Sequence, residues 1–212
     1  FIIILSSLDF KAVKYLKIGI NEIVYRSTFF VSVPENFIKN SYIRINQYYI
    51  WYNQKMKGLK IMDINSKLTE MGVTLPEAPA PAANYIPFLE AAGLIFISGQ
   101  VSQDEKGLIT GVLGDNMSLE EGYKAARCCA ISLVAQLKNA AGGDLNRVKR
   151  VVKLGGFVNC DPKFTEQPKV INGASDFLVE LFGERGKHAR TAVGCNLPLG
   201  VAVEIDGIFE IS

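Results

Sequence analysis

"ARTAVGCNLPLGVAVEIDGIFEI", residues 189–211, decides how the rest of the chain can be arranged. Two strand-like runs flank a Leu-Pro-Leu-Gly segment at 197–200. Beyond it, Val201, Val203 and Ile205 alternate with Ala202, Glu204 and Asp206, the period-two signature of a strand with one covered face. The spacing predicts a closing hairpin in which Asn196 pairs with Val201. Arg190 opens the first strand among small residues, and Glu204 sits in the middle of the second. In that register Glu204 lies opposite Val193 and points away from the Arg190 face. A β-bulge, or a neighbouring subunit, is then needed to bring the two charges together.

Upstream of this stretch the elements follow from caps and breakers. Asp63 or Asn65 can cap a short helix reaching Met71, stopped by Gly72. Prolines 76, 79 and 81 make residues 75–85 an extended connector. "LIFIS" (94–98) reads as a buried strand, and "GLITGVLG" (107–114) as a weaker one bounded by glycines. Ser118 and Glu121 form a capping box opening a long helix. Its apolar stripe runs through Leu119, Tyr123, Ala126, Ala130, Leu133, Leu137 and Ala140, and Gly142-Gly143 end it. A valine-rich strand follows at 148–160, then a helix with Pro168 in its first turn and Gly183 at its stop. The order β-β-α-β-α-β-β predicts an α+β fold, a mixed β-sheet with two helices on one face. The uncovered face is still fairly apolar, which argues for oligomerisation.

Composition divides the chain. Residues 1–61 carry nine Lys/Arg against three acids and 12 of the 21 aromatics, with neither a sustained helical nor a strand period. This poorly patterned segment is expected to be translated upstream sequence, with the patterned domain beginning at Met62; a divergent native extension is the alternative. Residues 62–212 are net −4, which argues against nucleic acid as a partner. The longest apolar runs are too short to span a membrane. The four cysteines, Cys128, Cys129, Cys160 and Cys195, lack the spacing of a zinc site, so no metal is expected, and a reducing cytoplasmic setting is the default.

Tyr85, "ISGQ" (97–100), Asn172, "ART" (189–191), "LP" (197–198) and "VEI" (203–205), in this order, resemble the reactive intermediate deaminase family. That family is also called RidA/YjgF or endoribonuclease L-PSP. The resemblance covers roughly residues 75–212 and is nearest to a longer, chorismate-mutase-like branch. It implies a chorismate-mutase-like fold, a homotrimer as self-partner, and clefts between subunits. It also implies hydrolysis of 2-imino or enamine acids to 2-keto acids and ammonia, without a cofactor. Arg190 matches the arginine that grips the substrate carboxylate, and Glu204 the glutamate that handles the attacking water. Tyr85, Ser98, Gly99 and Asn172 match residues lining the cleft. Two departures stand out: Ala192 replaces a frequent cysteine, and the segment between Arg190 and Glu204 is one residue shorter.

The residue types suit that chemistry. A guanidinium makes two parallel bonds to the carboxylate of an imino or keto acid, and a carboxyl with a raised pKa can cycle a proton. Each residue has a plainer alternative. Arg190 could be a salt-bridged edge residue, Glu204 a solvated one, Tyr85 a packed ring, Ser98 a strand-end cap and Asn172 an exposed helix residue. His188, the one histidine, reads as a loop residue, and Cys195 as core filling. A non-catalytic trimer that binds small carboxylates or proteins is the competing function, with RNA cleavage third.

Overall fold

The helices form where their caps place them. The computed structural model describes residues 63–78 and 85–212; the segment 1–61, with its expected boundary at Met62, lies outside the described residues. Helix α1 (Ile64–Glu70) starts at Asp63, whose carboxylate accepts from the Ser66 amide, and buries Ile64 and Leu68. Helix α2 (Leu119–Ala140) opens on the Ser118–Glu121 capping box with both reciprocal bonds made. Such a cap contributes about 1 kcal/mol. Its buried face includes Ala126, Ala130, Leu133 and Leu137, whereas Leu119 and Tyr123 lie half-exposed near the first turn. Helix α3 (Gln167–Phe182) carries Pro168 in its first turn, where no intrahelical N–H is lost, and buries Val170, Ala174, Phe177, Leu178 and Leu181.

Both long helices lie on one face of a five-stranded sheet. They approach each other closely at Gly173, where a Cβ would stand 1.9 Å from the Tyr123 carbonyl oxygen. No side chain fits there without parting the helices.

The strands are β1 (Phe88–Ala91), β2 (Leu94–Val101), β3 (Gln103–Asp104), β4 (Gly107–Leu108), β5 (Val148–Val158), β6 (Ala189–Gly194) and β7 (Val203–Ile211). The main sheet runs β1-β2-β7-β5-β6, with β3 and β4 paired separately. Within this sheet β5 and β6 pair in parallel and the other described pairs are antiparallel, so the sheet is mixed. The expected strand over 107–114 shrinks to Gly107–Leu108. The Val112 amide is taken instead by the Asn116 side chain at 2.7 Å, which turns the chain away.

The expected closing hairpin does not form. Strand β6 lies at the sheet edge beside β5, while β7 sits between β5 and β2. The Leu-Pro-Leu-Gly segment carries the chain over the end of β5 rather than reversing it into a pair. Cys195 donates to the Val158 carbonyl on one side of that end, and Asn159 donates to the Ala202 carbonyl on the other. Leu199 and Gly200 both adopt positive φ (59° and 66°), a left-handed corner that glycine tolerates freely and leucine only at some cost. The alternation expected of β7 does hold: Val203, Ile205, Gly207, Phe209 and Ile211 are buried under the helices, and the residues between them are half-buried on the other face. That helix-free face includes the exposed rings and methyls of Phe96 and Val193.

Candidate active site

Arg190 sits on edge strand β6, beside Leu154 of β5, and reaches toward α3. Its Nη1 donates to Ser175 Oγ at 3.0 Å, and its Nη2 donates to the Pro168 carbonyl at 3.0 Å. Two of the five guanidinium N–H groups are thereby used, and three remain for a ligand. Neither partner is an acid, so among the described residues Arg190 is not held in a salt bridge. Asn172 is half-buried on the same stripe of α3 as Pro168 and Ser175, four residues beyond one and three before the other.

Glu204 lies in the centre of the sheet, paired with Val101 of β2 and Phe157 of β5. Its carboxylate packs directly on Gly99: a Cβ there would stand 2.0 Å from Oε1. The register of β2 against β7 shifts between Ile97 and Gln100, so Ser98 and Gly99 both face Asp206 in a bulge. The bulge is what lets Gly99 lie over Glu204. Burial pushes the Glu204 carboxyl above the usual carboxylate range, and the charge of Asp206 adds to the effect. Asp206 itself accepts from the Gly155 amide at 3.1 Å.

Ser98 has a structural partner. Its hydroxyl donates to the Ile86 carbonyl at 2.8 Å, and its amide donates to the Pro87 carbonyl at 3.0 Å. These bonds tie residues 86 and 87 to β2; Tyr85, just before them, is half-exposed. Ser98, Gly99 and Glu204 thus form one group, with Tyr85 on the segment that Ser98 holds, and Arg190 and Asn172 another.

The two groups are separate within one chain. Strand β5 lies between β6 and β7, and Arg190 and Glu204 pair with β5 at Leu154 and Phe157. Standard strand spacing and rise put their Cα atoms roughly 14 Å apart. They also occupy opposite faces: Leu154 is fully buried under the helices, while Glu204 alternates with the buried residues of β7. The opposition expected from side-chain parity is present, although through β5 and not through a hairpin.

An open cavity of about 380 Å³ lies at the adjoining ends of β5 and β6, lined by Cys160, Gln167, Gly194, Cys195 and Asn196 among others. Cys195 was expected to fill core space and instead lines this cavity, because the chain leaves the sheet there to cross β5. Burial raises its thiol pKa, with smaller contributions from Cys160 and Glu204. Cys129 is fully buried, and its Sγ lies 3.5 Å from the Val203 carbonyl, as a packing cysteine should. Sequence reasoning passed over Ser175 and set His188 aside. Ser175 lies three residues beyond Asn172 on one helix stripe, and that spacing was the available signal.

Comparison with known proteins places the family and the fold. Residues 65–202 match the model of the YjgF/chorismate mutase-like family, described as candidate endoribonucleases. The chain is 48% identical over 152 residues to Protein TCP17 of Trypanosoma cruzi, covering 70% of this chain and 94% of that protein. Among solved structures, it resembles Atu1372 of Agrobacterium tumefaciens, a protein of unknown function, with 42% identity and a TM-score of 0.66 over 77% of this chain and 99% of that one. A candidate endoribonuclease of Shewanella oneidensis is 35% identical, with a TM-score of 0.68 over 71% of this chain and all of the other. Among the described residues no helix is long and apolar enough to cross a membrane.

Proposed function

The chain belongs to the YjgF/chorismate mutase-like family, and on that premise we propose that it hydrolyses 2-imino or enamine acids to 2-keto acids and ammonia. The observation that carries this reading is the state of Glu204. A half-buried carboxyl with a raised pKa, pressed on a glycine that leaves it no side-chain cover, is suited to cycling a proton. It takes a proton from water as the oxygen bonds to C2 of the imine. It returns that proton to nitrogen, giving the 2-amino-2-hydroxy acid, and then carries the hydroxyl proton to nitrogen as the C–N bond breaks, leaving a ketone and ammonia. The imine is already electrophilic, so neither metal nor cofactor enters the scheme.

Arg190 supplies the anchor. Its three uncommitted N–H groups can grip the substrate carboxylate in a fork that lysine lacks. In a 2-imino acid the carboxylate adjoins C2, so one substrate cannot bridge groups roughly 14 Å apart on opposite faces. The site is therefore completed between copies, with Arg190 from one subunit and Glu204 from another. A homotrimer accounts for this, and the exposed apolar residues Phe96 and Val193 on the helix-free face support it. Tyr85, Ser98, Gly99 and Asn172 complete the lining. A trimer that only binds small carboxylates is favoured by the same separation if the copies never bring Glu204 to the ligand. RNA cleavage ranks third, because residues 62–212 are net −4.

The deciding experiment generates 2-aminoacrylate with a dehydratase and follows semicarbazone trapping. Accelerated loss of the trappable imine in the presence of the protein is expected, from a species whose light-scattering mass is that of a trimer. An unchanged trapping yield would leave the binding trimer as the better reading, and a monodisperse monomer would remove the shared site.

A further inference from the structure

Behind Arg190 runs a chain of three hydrogen bonds whose direction the chemistry fixes. The guanidinium donates to Ser175 Oγ at 3.0 Å. Ser175 Oγ lies 3.0 Å from His188 Nε2, and His188 Nδ1 lies 2.6 Å from the Gly186 carbonyl oxygen. A carbonyl only accepts, so the proton of the neutral ring is on Nδ1 and Nε2 is bare. The Ser175 O–H must then donate to Nε2, which turns an oxygen lone pair toward Arg190. Every link has a single permitted polarity, from Arg190 through Ser175 and His188 to Gly186.

The far end of this chain is held rigidly. Gly186 packs so closely on α3 that a Cβ there would stand 2.2 Å from the Leu178 carbonyl oxygen. The imidazole is half-buried just before β6 and meets Ser175 from α3 and the Gly186 backbone from the preceding turn. Arg190 is the charged group that acts on it. Burial holds the His188 pKa below the ordinary histidine value, and the Arg190 charge pushes the same way, against the Gly186 bond. The lowered pKa favours the neutral ring at pH 7, the state for which the bond polarities above hold.

We propose that Ser175 and His188 are positioning residues for Arg190, a neutral relay that aims the guanidinium at a substrate carboxylate and lets go when His188 is protonated. The proposal rests on reading Arg190 as the carboxylate anchor. Once Nε2 carries a proton, it and the guanidinium both donate to one hydroxyl, and two cations crowd a single oxygen. Acid then weakens carboxylate binding. A mere electrostatic bystander would do the opposite, since an added positive charge draws an anion in.

The test uses pyruvate, a stable 2-keto acid, as probe, with calorimetric titration of the full chain from pH 5 to 8. Affinity is expected to fall as pH drops below the ordinary histidine range. Ser175→Ala should weaken binding about tenfold at pH 7.5, and His188→Gln, which cannot titrate, should abolish the acid fall. His188 is the one histidine in the sequence, so its ring signals in nitrogen-15 NMR need no assignment. They should report the Nδ1–H tautomer at pH 7.5, the minority form of free histidine. Pyruvate binding unaffected in Arg190→Ala would overturn the anchor and the relay together. Binding lost in Arg190→Ala but unaltered, in strength and pH profile, by Ser175→Ala and His188→Gln would overturn the relay alone. So would an Nε2–H tautomer, or binding that strengthens in acid.

Discussion

Gly99→Ala separates the architecture of the site from the stability of the fold. The new Cβ would stand 2.0 Å from Glu204 Oε1, 2.9 Å from Cδ and 3.1 Å from Cγ. Ordinary contact between carbon and oxygen needs about 3.3 Å, so the carboxylate must retreat by more than about 1 Å. The obstacle is the far end of a flexible side chain, and Gly99 does not have a positive φ. Relief therefore comes from rotation of Glu204, at a cost of about 0.5–1.5 kcal/mol for a displaced rotamer. The fold should survive with a melting temperature lowered by no more than about 6 °C. Catalysis should not survive equally well, because a misplacement of this size lowers turnover by roughly 10²-fold. Thermal melts and semicarbazone trapping on the same preparation give the two numbers. Full imine hydrolysis in Gly99→Ala would refute the placement of Glu204 as the proton-cycling group. Unfolding would refute the claim that Gly99 is a site residue and not a structural one.

Other substitutions read out neighbouring features. In Gly173→Ala the obstacle is the Tyr123 backbone at 1.9 Å; α2 and α3 must part, and melting should show a loss of about 3 kcal/mol. Arg190→Lys keeps the charge but not the fork, and should cost about 2–3 kcal/mol, roughly a hundredfold in kcat/KM, in a steady-state assay. Glu204→Gln should lower turnover by roughly 10²-fold while leaving pyruvate binding nearly intact by calorimetry. The same variant tests the raised carboxyl pKa. The folded state holds the Glu204 proton more tightly than the unfolded chain, so its contribution to stability falls as pH rises from the ordinary carboxylate range through the raised value. Glu204→Gln should therefore melt above wild type at pH 8, with the gap closing toward pH 4.

The local signals in the sequence were sufficient for the helices and for the faces of the strands. Ser118 with Glu121, Pro168, and the glycines at 142–143 and 183 bound α2 and α3 because capping and breaking are decided within a turn of chain. The parity of β7 was equally legible, since burial alternates with the pleat. Its neighbours were not. Two consecutive strands joined by a Pro-Gly segment resemble a hairpin locally, and nothing local reveals that β5 occupies the space between them. A longer-range signal existed: strand, helix, strand over 148–194 is the pattern of a parallel pair. Applied to β5, α3 and β6, it seats β6 beside β5 and leaves β7 to find other partners. Of the candidate site, Arg190, Glu204, Gly99 and Ser98 were legible as residue types in order. Their division into two groups was not, because it depends on that strand order.

Strand order also sets a timetable. Strand β7 is made after the other six, yet it is the central plank: β2 bonds to one of its edges and β5 to the other. Until residues 203–211 leave the ribosome, the chain holds two half-sheets, β1-β2 and β5-β6, each with an inner edge that has no strand to satisfy it. Such edges invite pairing with other chains. The joining step waits on contacts distant in sequence, which slows folding relative to folds built on local contacts. A chain interrupted just short of β7 would lose its whole middle, and with it Glu204 and the strand that bonds to both the half-sheet bearing Gly99 and the one bearing Arg190.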